Sequence, residues 1–75
     1  MSQFIMVAPD GWIALDTEYY ENNTGLTKPL LEYGNTTSIL EIATKAMIEH
    51  GDLKDSQILV EIRLIDGNFW VLIQG

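Results

Sequence analysis

The chain contains no cysteine. Disulfides and cysteine-ligated zinc are therefore excluded as staples, and the composition fits a reducing compartment. Basic residues are also scarce: four Lys plus Arg stand against eleven Asp plus Glu, for a net charge of −7. That balance speaks against direct binding to nucleic acid, whose phosphates need clustered Lys and Arg. It equally disfavours an anionic membrane surface. Long apolar runs are missing. The longest, such as residues 4–8 and 69–73, fall far short of the roughly 20 residues a membrane-spanning helix needs. No basic start followed by an apolar signal segment is present, so the expected location is cytoplasmic or within a virion, without secretion by a signal peptide. Asn22-Asn23-Thr24 and Asn35-Thr36-Thr37 match the glycosylation pattern, and without a secretion signal they read as chance matches.

What is present argues for a folded domain. Hydrophobic residues make up 47% of the 75 residues, too many for a disordered chain. The length predicts one domain over residues 1–75, with a small core and marginal stability of its own.

One stretch, Ser38 to Gly51, has a clear helical period. Ser38-Ile39-Leu40-Glu41 fits a capping box, and Gly51 suits a left-handed helix stop. On a helical wheel Ile39, Leu40, Ile42, Ala43, Ala46 and Met47 share one arc, with Glu41, Thr44, Lys45 and Glu49 opposite. Ile48 breaks this pattern by projecting from the polar side. It reads as a stray surface residue or as a partner contact. His50, at the helix end, reads as a capping or surface residue.

Both flanks read as β-hairpins. Residues 4–8 and 12–16 are separated by Pro9-Asp10-Gly11, a three-residue turn in which glycine takes a positive φ. Residues 58–73 carry Asp66-Gly67, a strong two-residue turn signal. That turn predicts pairing of Leu64 with Phe69, Ile62 with Val71 and Val60 with Ile73. It also sets Arg63 opposite Trp70, a placement that permits a cation–π contact. The expected fold is α+β in β-β-α-β-β order: an antiparallel sheet of two hairpins with one helix packed on one face. Ile5, Val7, Ile13, Leu15, Ile58, Val60, Ile62, Leu64, Phe69, Val71 and Ile73 are assigned to the helix-facing side.

The other side of this sheet is unusual. A solvated sheet face alternates apolar with polar residues, yet Phe4, Met6, Trp12, Leu59, Trp70 and Leu72 fall there. Either the long connecting segment 17–37 folds back over it, or another protein does. The segment carries Tyr19, Tyr20, Leu26, Leu30, Leu31 and Tyr33, and residues 27–32 suggest a short helical turn with Pro29 at its first position. Strand edges are also open to pairing, since neither proline nor a charge pattern guards them.

Little points to chemistry. Asp16, Glu18 and Glu21 cluster beside Tyr19 and Tyr20, but their spacing is not that of a calcium loop, and a solvated acidic loop is the plain reading. The single histidine stands in no nucleophile arrangement. The expectation is a non-enzymatic module with no cofactor and no metal, working through a protein partner or self-association, with no membrane or direct nucleic-acid binding. Its partner contacts would be Phe4, Met6, Trp12, Trp70 and Leu72, with Ile48 on the helix exterior. Two functions compete. The first is a structural or assembly subunit of a larger particle, such as a phage virion, docking through the apolar sheet face. The alternative is a soluble acidic inhibitor or nucleic-acid mimic, with Asp16, Glu18, Glu21 and Glu32 presented to a basic groove.

Overall fold

The computed structural model describes residues 11–75. These form a small α+β fold with three helices and a three-stranded antiparallel sheet. Strand β1 spans Trp12–Ala14, helix α1 Thr17–Thr24, α2 Thr27–Tyr33, α3 Thr37–His50, β2 Ile58–Ile65 and β3 Asn68–Gln74. The order among the described residues is thus β-α-α-α-β-β, which corrects the expected β-β-α-β-β. Residues 4–8 of the expected first hairpin lie outside the described residues. The remaining strand, β1, pairs with β3, giving the sheet order β1-β3-β2.

The second hairpin follows from its turn. Asp66 and Gly67 both take positive φ, +52° and +79°, the geometry that matches the twist of two joined strands. Leu64 pairs with Phe69, Ile62 with Val71 and Arg63 with Trp70, as the turn predicts. Beyond Glu61 the expected register fails. A bulge between Leu59 and Glu61 sets Leu59, not Val60, against Ile73. An extra residue in one strand reverses the side-chain alternation past it. Leu59 is therefore buried in the core, whereas Ile58 and Val60, assigned to the helix side, are exposed. Ile13 shares a row with the buried Val71 but is itself half exposed.

Helix α3 begins earlier than the expected Ser38. Thr36 is its N-cap, in extended conformation, and its hydroxyl accepts from Ile39 N–H at 3.2 Å. The Ser38–Glu41 pair lies inside the helix, where no cap is needed. Gly51, at φ +91°, ends it as expected: the amides of Gly51 and Asp52 bond back to the Met47 carbonyl at 3.0 and 2.8 Å. The positive φ suits glycine, and the motif satisfies carbonyls the helix leaves open.

The segment 17–37 is not a bare connector. Asp16 caps α1 by accepting from Tyr19 N–H at 3.2 Å, and Gly25 closes it in the left-handed conformation. Glu21 then accepts from Thr27 N–H at 3.0 Å, fixing the start of α2. That helix begins at Thr27, so Pro29 stands in its first turn but not at its first position. Proline is tolerated there because early helical amides need no intrahelical partner.

All three helices contribute to one core. Tyr20, Leu26 and Leu30 join Ile39, Ala43, Ala46 and Met47 against Leu15, Leu59, Ile62, Phe69 and Val71, with Leu53 from the loop after α3. Phe69, Met47 and Val71 are fully shielded. The segment 17–37 therefore covers the same sheet face as α3. Of its expected apolar contributors, Leu31 and Tyr33 remain exposed on α2.

Candidate functional site

The sheet face turned away from the helices is built from all three strands. Register places Trp12 beside Leu72 and Glu61 in one row, and Ala14 beside Trp70 and Arg63 in the next. Trp12, Trp70 and Leu72 are half-buried. Both tryptophans of the chain stand on this face. Alternation along each strand puts them there, because their neighbours Leu15, Phe69 and Val71 point into the core.

One basic side chain crosses this face. Arg63 donates from Nε to Glu61 Oε2 at 2.8 Å, and its guanidinium carbon lies 5.0 Å from the centre of the Trp12 ring. The cation–π partner is therefore Trp12, and not Trp70, which the pairing also permits. Strand β1 lies beyond β3, which brings Trp12 within diagonal reach. Glu61 draws the guanidinium toward the row that holds Trp12. Such an arginine can lay its alkyl stem over apolar surface while keeping its charge in water. The Trp70 indole Nε1 is buried and has no hydrogen-bond partner among the described residues. A buried donor left unpaired costs free energy.

Trp12, Trp70 and Leu72 come together. Leu59 has left this face through the bulge, and Phe4 and Met6 lie outside the described residues. Ile48 is exposed on the outward side of α3, across the molecule from the tryptophans. It sits on a shallow groove of about 590 Å³ lined along α3, with Leu40, Thr44, Lys45 and Glu49.

The four expected acidic residues are likewise divided. Asp16 serves as a helix cap and Glu21 ties α1 to α2. Glu18 and Glu32 are exposed to solvent on separate helices. Among the described residues no three His, Asp or Glu side chains gather as metal ligands.

A polar and aromatic cluster at the end of α3 was not foreseen as a unit. The Tyr19 ring stacks on His50 with centroids 3.8 Å apart, and Tyr20 meets the same imidazole edge-on at 5.7 Å. The Tyr20 hydroxyl donates to Asp52 Oδ2 at 2.5 Å. Burial first, and then the bond to Asp52, push the Tyr20 hydroxyl well above the usual phenol range. These contacts fasten α1 to the C-terminal end of α3. Sequence adjacency of two tyrosines gives no sign of a histidine thirty residues away. A second unforeseen residue is Asn35, whose carboxamide bonds the Ile62 backbone twice.

Compared with protein-family models, with curated proteins and with solved structures, the chain matches none of them.

Proposed function

We infer that the protein is a non-enzymatic interaction module that docks through the sheet face bearing Trp12, Trp70 and Leu72, as a structural or assembly subunit of a larger particle. The observation that carries this reading is the disposition of the helices. All three pack on one side of the sheet, so none covers these side chains. Tryptophan and arginine are enriched in the cores of protein interfaces, where large rings supply contact area at little entropic cost. The Arg63–Glu61 pair at the surface contributes little stability by itself, and a docking protein can displace it cheaply.

The acidic-inhibitor alternative draws on the net charge of −7. It is the weaker reading, because two of its four proposed carboxylates are already engaged with helix-terminal amides.

The test uses the two tryptophans as reporters, since both lie on the face in question. Light scattering across protein and salt concentrations is combined with tryptophan emission. The expected result is association that persists at high salt, with a blue shift as the rings leave water, and its loss in Leu72→Lys. A chain that remains monomeric throughout, with unchanged emission and no binding of an apolar dye, overturns the assembly reading. Salt-sensitive binding to a basic protein would then support the alternative.

A further inference from the structure

The outer edge of β2 is closed by a side chain. Among the described residues β2 has no strand on that side. Leu15 N–H donates to the Phe69 carbonyl at 3.0 Å, so Phe69, and two residues on Val71, direct their backbone groups toward β1. In an antiparallel ladder the residues opposite them, Leu64 and Ile62, direct theirs outward. At Ile62 this outward pair is occupied. Asn35 Oδ1 accepts from Ile62 N–H at 2.8 Å, and Asn35 Nδ2 donates to the Ile62 carbonyl at 3.0 Å. One carboxamide thus supplies the acceptor and the donor that a neighbouring strand would supply.

We propose that Asn35 is an intramolecular plug on the β2 edge, standing where the Ile62 backbone of a second copy of this chain would otherwise pair. Three observations select a second copy. Antiparallel pairing of β2 with itself, centred on Ile62, makes Ile62 face Ile62 as a hydrogen-bonded pair, which uses the same two groups that Asn35 takes. That register brings Glu61 of one copy opposite Arg63 of the other, twice, so the strand is self-complementary in charge. It also sets the exposed Val60, 40% accessible, opposite Leu64 of the other copy. The edge is eight residues long, whereas β1, at the other side of the sheet among the described residues, has three. An unguarded edge of that length is a template for strand addition.

The test is Asn35→Ala in the full chain, followed by light scattering and by backbone amide exchange. The expected result is a doubling of mass relative to wild type, with Ile62 and Leu64 amides exchanging more slowly as concentration rises. Adding Arg63→Glu sets Glu61 against a second glutamate and should return the mass to the wild-type value. Adding Glu61→Arg to that double variant should restore the doubling. Asn35→Ser carries the same test if the alanine variant does not fold. A folded variant with wild-type mass at every concentration overturns the proposal. So does a doubled mass that Arg63→Glu leaves unchanged.

Discussion

The two faces of the sheet differ in what they touch more than in what they contain. On one, Phe69, Val71, Ile62 and Leu59 meet three helices and are fully or almost fully shielded. On the other, Trp12, Trp70 and Leu72 are as apolar but only half-buried, and among the described residues no helix packs on them; the Arg63 guanidinium crosses over Trp12. Both faces read as hydrophobic along the chain. Among the described residues only the first is a core. Hydrophobicity is thus necessary for burial and does not choose which face is buried. That choice is made by where the helices can reach.

The largest expected effect tests this asymmetry directly. Phe69→Ala should destabilise the fold by about 4 kcal/mol, the usual range for removing a fully enclosed aromatic ring. Trp70→Ala should cost about 2 kcal/mol, because only part of its larger area leaves water on folding. Denaturant unfolding of both variants measures the difference. Equal losses would mean that the second face is as much a core as the first.

The second test concerns the anchor of α1 on the covered side. Tyr20 has a hydroxyl held above its ordinary value of 10.0 by burial and by Asp52. Below pH 10 the phenol is protonated in both folded and unfolded chains, so this shift adds no pH dependence. Above it the unfolded chain loses the proton first, so the folded state binds more protons and stability falls as pH rises. Wild type should therefore lose stability above about pH 10 more steeply than Tyr20→Phe. At neutral pH, Tyr20→Phe should cost about 1 kcal/mol for the lost bond. Parallel unfolding curves against pH would break the assignment.

The smallest effect belongs to the open face. Arg63→Ala should change stability by only about 0.5 kcal/mol, the scale of an exposed cation–π contact, while shifting Trp12 emission. A loss comparable to that of Trp70→Ala would mean that the arginine stem is a structural cover and not a displaceable one.

The sequence is most legible where the physics is local. Asp66-Gly67 fixes the hairpin because both residues accept the left-handed conformation that the turn requires. The apolar arc of α3 and its glycine stop are legible for the same reason: Ile39, Ala43, Ala46 and Met47 are buried as the wheel predicts, although Ile42, placed in the same arc, is exposed. The bulge at Val60 is not legible. Its cause is the register of the whole strand, and it moved Leu59 into the core and Ile58 out of it. Helix α1 was missed because Asp16-Thr17-Glu18 resembles an acidic loop until Asp16 is seen capping the Tyr19 amide.

Of the candidate face, the tryptophans and Leu72 followed from strand alternation, since period-two geometry needs no tertiary information. The partner of Arg63 did not, because it depends on which strand lies beyond β3. Asn35 was invisible for a stronger reason. Its partner Ile62 is twenty-seven residues away, and nothing in the pattern of either residue announces the other. By itself, then, the sequence determined the hairpin turn, the long helix, the absence of staples and the apolar character of both sheet faces. The tertiary structure alone decided the strand order, which face the helices cover, and which edge Asn35 closes. Those decisions depend on contacts between distant residues, whose free energy exists only once the chain has brought them together.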